Sequence, residues 1–352
     1  MPIPELLNRL LRAAGPSGRE TDPARVWREG CAEFAAEVRG DTVGSSMARV
    51  PGTAGGPTLA VIGHIDEIGV HVSHIDDDGY LRFGEVGGWD PVVLVGQRVR
   101  IATRAGSVIG VIGRKPIHLM KAPDREKAPA VKDLHIDIGA KDGDQAREIV
   151  RIGDVAVIDG EPVTMPNERL VSRALDNRIG CYVAAQAARL VAESGGAPGD
   201  VVALAVAQEE TSFAGARTSA FSLQPDLAIV VDVTFATDQP GIDLGPITKH
   251  LLDSGAVIAR GTALHPRVTE LLYETAEAEE LPFTVESLGR ATGTDADAIH
   301  ASRSGVPTGL VSVPIRYMHS PVELVSLADI EVAAKLIAAF ARRLEPGMSF
   351  ER

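Results

Sequence analysis

LAIVVDVT, residues 227–234, decides how the chain is read. Five apolar residues, Leu227 to Val231, run into Asp232 without a turn signal. A run apolar on both faces fits a central strand covered by helices on either side. An acid at the end of such a strand is costly unless it is paired or holds a cation. The bland alternative is a strand that has already reached solvent at Asp232. Four other segments close or flank apolar runs with the same residue types: His64-Ile65-Asp66, Asp176-Asn177-Arg178, Glu209-Glu210 and His319-Ser320-Pro321.

Working outward, the strand belongs to a strand–helix–strand alternation. VVALAVAQ (201–208) precedes it, and FTVES (283–287) and TGLVSVPI (308–315) follow. Helical periodicity marks residues 3–13, about 21–37, 179–194, 266–280 and 327–344. Thr42–Val50 and Thr58–Gly63 read as further strands. The pattern predicts a mixed, largely parallel sheet with helices on both faces. From about His71 the character changes. VSHIDDDGYLRF, VVLVGQRVRIAT, GSVIGVIG and VAVIDG are short Val/Ile runs punctuated by Gly and Asp. Regular short strands with turn signals predict a small β-barrel or sandwich. We read residues 71–164 as an inserted β domain and residues 1–70 with 165–352 as the main α/β domain. Lys121–Val131, charged and containing proline, reads as a loop.

The chain has 352 residues, long enough for two domains. A net charge of −13 leaves no basic stripe for nucleic acid and no attraction to an anionic membrane. Cys31 and Cys181 stand far apart without a CxxC spacing, which argues against a disulfide framework or a cysteine zinc site. The Met-Pro-Ile-Pro-Glu start is not a basic leader, and no apolar run reaches membrane-span length. These features point to the cytoplasm.

Each chemical segment has a plain reading beside a functional one. Asp66, two residues after His64, can fix that ring's tautomer, or both can be solvated groups at a strand end. Asp176 can cap a helix or bridge metals. Glu209 and Glu210 follow a strand apolar from Val201 to Ala207, where adjacent buried acids call for a cation. On a strand they would point opposite ways, so one can bind metal while the other serves a water as general base. His319 precedes Pro321, which holds its loop; a lone histidine is otherwise a core residue. His71, His74, His118, His135, His250, His265 and His300 are left as structural or surface residues. Parallel strands deliver their carboxyl ends to one edge, and two histidines with three acids suffice there for two metals.

The segments GHIDEIG, ALDNRIGC, QEE followed by GAR, VDVT, GTDA and SVPIRYMHSPVE resemble the M42 family of metallo-aminopeptidases, as do GGWDP, VGQRV, GVIG and IDIGA between them. The likeness runs in order over nearly the whole chain. It implies a di-zinc-exopeptidase-like α/β fold with the inserted β domain as the assembly element. It implies His64 and Asp232 on one metal, Glu210 and His319 on the other, and Asp176 bridging. Glu209 is then the general base, and Asp66 orients His64. Zinc is the implied metal, with cobalt as the alternative. Short peptides are the substrates, and the chain self-associates into dimers or a dodecamer. Two stretches depart from the family pattern: Thr211-Ser212-Phe213-Ala214, and the spacing from Gly245-Pro246 to Asp253. Three rival readings are a metal-free glycoside hydrolase, which the 4% aromatic content disfavours, a related di-metal deacylase or carboxypeptidase, and a non-catalytic assembly protein.

Overall fold

A computed structural model describes residues 1–244 and 248–351. Gly245-Pro246, where one departure begins, lie outside the described residues. Helices Glu5–Arg12 and Thr21–Cys31 lead into strands β1 (Glu37–Gly40), β2 (Ser46–Val50) and β3 (Gly56–His64). Then come β4 (Gly69–Ile75), β5 (Leu81–Val86), β6 (Arg98–Thr103), β7 (Gly106–Arg114), β8 (Leu134–Asp137) and β9 (Val155–Ile158). The chain returns through β10 (Val163–Met165), β11 (Arg169–Ser172), β12 (Gly199–Val206) and β13 (Leu227–Phe235). It ends with β14 (Ala256–Gly261), β15 (Phe283–Leu288), β16 (Thr308–Arg316), β17 (Glu323–Ser326) and the helix Leu327–Arg342.

The parallel strands β12, β3, β13 and β16 lie side by side at the centre of an eleven-stranded sheet. Antiparallel strands extend it on both sides, so the sheet is mixed, as the alternation predicts. Period two separates the faces cleanly. On β13, Leu227, Ile229, Val231 and Val233 enter one core, while Ala228 and Val230 enter the other. On β3, Leu59 and Val61 join the first core and Ala60 and Ile62 the second. The first core is covered by the long helices, among them Leu175–Glu193 and Leu327–Arg342. His64 continues the Ala60–Ile62 series, and Asp232 the Ala228–Val230 series. The two therefore emerge on one face at adjacent strands.

Strands β4 to β9 close into a six-stranded barrel in the order β4-β5-β8-β7-β6-β9. Val70, Val72, Leu81, Phe83, Val99, Ile101 and Ile136 fill it. Cys31 and Cys181 are buried and free. Among the described residues, no helix is long and apolar enough to cross a membrane.

Three local expectations are corrected. The second helix stops at Cys31, and Glu37 begins strand β1 instead. Residues 42–45 form a turn rather than strand, because the Asp41 carboxylate accepts the N–H groups of Val43, Gly44 and Ser45. Ala122–Arg125 forms a helical turn within the stretch read as loop.

Close packing sets where the site can form. A side chain on Gly180 would meet Asn177 Oδ1 at 2.3 Å and the Val231 carbonyl oxygen at 2.6 Å. One on Gly63 would meet the Gly180 backbone at 2.3 Å. Bare backbone at both positions lets the helix start settle against the ends of β3 and β13. Gly180→Ala therefore overpacks this contact and is expected to cost about 1–3 kcal/mol. Urea unfolding checks this; an unchanged midpoint would show that the contact tolerates a methyl group.

Candidate active site

All seven residues singled out in the sequence reach one edge of the sheet. His64 ends β3, Asp232 lies three residues before the end of β13, and His319 follows β16. Asp232 has not reached solvent: it is 6% exposed. His64, Asp66, Asp176 and Glu209 are buried as well. A cleft of about 530 Å³ opens onto His64, Asp176, Glu209, Glu210, Asp232 and His319. A larger cleft of about 920 Å³ lies at the opposite, amino edge of the strands, beside Pro57, Asp226 and Thr308, and takes in His265 and His300. It holds none of these acids.

Asp176 sits between the two imidazoles. Its Oδ1 lies 3.0 Å from His64 Nε2, and its Oδ2 lies 3.4 Å from His319 Nε2. The plain reading of Asp176 as a helix cap does not hold. Asp176 and Asn177 lack helical backbone angles, and Asn177 Oδ1 accepts the Gly180 N–H at 2.8 Å instead. Capping by Asn177 leaves the Asp176 carboxylate free to face the cleft.

Glu209 and Glu210 do not end a strand. β12 stops at Val206, Gln208 takes a left-handed conformation, and Glu209–Ser212 forms one helical turn. Asp66 anchors that turn by accepting the N–H groups of Glu209 at 3.0 Å and Glu210 at 3.2 Å. The two acids still part company. Glu209 Oε2 lies 3.8 Å from His64 Nε2, and Glu210 Oε1 lies 3.6 Å from His319 Nε2. Asp66 Oδ1 is 3.4 Å from His64 Nδ1, and the Ser17 hydroxyl donates to Oδ2. Donor atoms of His64, Asp176 and Glu210 lie within 4.8 Å of one another, as do those of His64, Glu209 and Asp232.

Negative charge is in excess here. Burial pushes Glu209 up to about 9, aided by repulsion from Asp232, Asp295 and Asp176. Burial and Asp176 together push Asp232 up to about 7. Burial likewise raises Glu210 and Asp295. Asp176 goes the other way: against its burial, hydrogen bonding to His319 and His64 holds it low. No Lys or Arg lines the cleft among the described residues. The arrangement can hold divalent cations, since imidazole nitrogen and carboxylate oxygen converge without a resident counter-charge.

The family profile described as M42 glutamyl aminopeptidase matches residues 44–336. The chain belongs to the M42 family. Its members are aminopeptidases, hydrolases of peptide bonds. The lysyl aminopeptidase of Pyrococcus furiosus is 36% identical over 345 residues, covering 97% of each chain. A TET aminopeptidase from a marine-sediment Thaumarchaeota archaeon superposes with a TM-score of 0.92 at 34% identity, over 97% of this chain and 96% of that one. The TET1 peptidase of Pyrococcus horikoshii, which can assemble into a tetrahedron or a large octahedral shell, matches with a TM-score of 0.83 at 30% identity, over 97% and 99%.

Several supporting residues of this site were given no role from the sequence, although Glu67, Arg178, Asp295 and Glu323 lie inside the segments that carry the resemblance. Glu323 accepts the backbone N–H of Asp176 at 3.1 Å and that of His319 at 2.9 Å, tying two cleft residues together. Asp295, in GTDA, is 1% exposed and adds repulsion to Glu209. Of the departures from the family pattern, Phe213 takes a left-handed conformation and lines the cleft wall. Glu67 pairs with Arg173 and, at 3.2 Å, with fully buried Arg178. Their signal was an acid or a cation within an apolar segment, which does not reveal partners such as Asp176 for Glu323 or Arg178 for Glu67, more than a hundred residues away.

Glu67→Ala would leave two buried guanidinium groups without their carboxylate. The expected loss is about 3–5 kcal/mol, read by denaturant unfolding. A loss under about 1 kcal/mol, the scale of an exposed pair, would mean that the pair is solvated.

Proposed function

We propose that the chain is a two-metal aminopeptidase that removes N-terminal residues from short peptides. The observation that carries this reading is the Asp176 carboxylate, which turns one oxygen to each of the two imidazoles. A carboxylate so shared suits a bridge between two cations. The fit rests on charge as well. Asp176, Glu209, Glu210 and Asp232 crowd one cleft that offers two imidazoles and no fixed cation among the described residues. In this reading His64 and Asp232 hold one ion, His319 and Glu210 hold the other, and Asp176 serves both. The mixed nitrogen and oxygen donor set suits zinc, with cobalt as the alternative.

When bound, the ions supply Lewis-acid polarisation of the scissile carbonyl and acidify the attacking water. The chain's own groups manage the proton. Glu209 is buried at the cleft wall beside His64, and with cations in the cleft to offset its neighbours' charge it is ionised, takes the proton of the attacking water and returns it to the leaving amine. Asp66, beside Nδ1 of His64, keeps Nε2 turned to the cleft. Through the same carboxylate Asp66 fixes the turn that presents Glu209 and Glu210.

Residues 1–70 and 165–352 form the catalytic domain in this reading, and residues 71–164 form an inserted domain through which copies associate. The tetrahedral and octahedral assemblies of the TET1 relative support dimers that build a larger particle such as a dodecamer. A cytoplasmic peptide-trimming role accompanies it.

Glu209→Gln keeps the shape of the site but removes the base. The variant should keep its metal content and lose at least ~10²-fold in peptide turnover; near wild-type hydrolysis would refute the assignment. Asp232→Ala should lose one metal equivalent of two, measured by elemental analysis of the purified protein. Two full equivalents in that variant would make Asp232 structural. Chelation should abolish hydrolysis and zinc should restore it, whereas a metal-free glycosidase would survive the chelator.

A further inference from the structure

The cleft has a second chemical end, away from the ion site. Asp232 and Thr234 lie two residues apart on β13 and so share a face. Two residues of strand span about 6.6 Å. There the Thr234 hydroxyl donates to Glu286 Oε1 at 3.1 Å. Glu286 comes from β15 and lines the same cleft, partly buried. Among the described residues its carboxylate meets no cation; the Thr234 hydroxyl is its hydrogen-bond partner. Burial raises its carboxyl above the usual range, with Thr234 opposing.

Asp176, Glu209, Glu210 and Asp232 all have tasks at the ion site in the reading above. Glu286 has none, and among the described residues it is the remaining acid of the cleft lining. Apolar groups also line this cleft: Phe213, Phe235, Leu288, Leu310 and Met318. Apolar walls and one carboxylate that the ion site does not use match a long apolar stem with a cationic tip.

We infer that Glu286 selects the side chain of the substrate's N-terminal residue, and that the enzyme acts on peptides beginning with lysine or arginine. The inference rests on the aminopeptidase reading. With the scissile bond at the ion site, the N-terminal side chain extends along the cleft. The four-carbon stem of lysine covers that span, and its ammonium donates to Glu286. A glutamate side chain in the same place meets like charge. Glu286 touches the substrate but not the reacting atoms.

The test uses the metal-loaded protein, wild type and Glu286→Gln, with two readouts. One is kcat/KM for lysyl, arginyl, leucyl and glutamyl chromogenic amides. The other is calorimetric binding of free L-lysine against L-norleucine, which has the same stem without the ammonium. Wild type should favour lysyl over leucyl amide, and lysine over norleucine, by about 10–100-fold, the scale of a hydrogen bond between charged groups. Glu286→Gln should collapse both ratios toward one. Glu286→Lys should shift the preference toward glutamyl amide. An unchanged lysyl-to-leucyl ratio in Glu286→Gln overturns the inference, as does an equal loss on all four amides, which would mark a role toward the α-amine or the fold. So does a wild type that prefers leucyl or glutamyl amide or does not separate lysine from norleucine; this last holds even where the variants fail to fold. If no amide is cleaved but lysine still outbinds norleucine through Glu286, the aminopeptidase reading falls and the cationic pocket stands.

Discussion

Carboxylates that share one buried edge repel one another, and most of the architecture around this site answers that constraint. Asp66, Asp176, Glu209, Asp232, Asp295 and Glu323 are all buried there, and Glu210 nearly so. In a medium of low dielectric, each needs donors or a cation. Asp66 and Glu323 find backbone N–H groups. Asp176 finds two imidazoles. Glu209, Glu210, Asp232 and Asp295 are left under-compensated, and burial pushes their protons on. That imbalance distinguishes this cleft, whose groups can hold divalent cations, from a merely polar one.

The scaffold keeps the imbalance in place with elements that carry no chemistry. The Glu67 pairs with Arg173 and Arg178 pin the segment after His64 to the start of the helix that bears Asp176. Gly63 and Gly180 let that helix approach the strand ends, and Asn177 takes over the capping duty. Asp66 holds the Glu209–Glu210 turn against the end of β3. Neighbouring residues in the chain thus divide into those that face the cleft and those that hold them there. His64 stands beside Asp66 and Glu67, and Asp176 beside Asn177 and Arg178.

Much of this was legible from the chain. Apolar runs ending in His or Asp mark strands of a helix-covered sheet, because only a buried strand tolerates apolar residues on both faces. The change to short Val/Ile runs after His71 marks the barrel, because its core needs only alternate residues. The errors fell where local side chains outbid periodicity. Asp41 made a turn of residues 42–45, and Asp66 made a helical turn of the Glu209 segment. The pairing of Glu323 with Asp176 and of Glu67 with Arg178 spans more than a hundred residues, and nothing local encodes it.

The sequence by itself determined the fold class, the parallel strand ends and the residue types gathered at them, because burial and period two are properties of short segments. Tertiary structure alone decided which oxygen faces which imidazole, that Asn177 rather than Asp176 caps the helix, and that Glu286 shares the cleft with Asp232. Those facts follow from strand order and helix approach. Such distances are set by close packing between remote parts of the chain, and no stretch of sequence contains them.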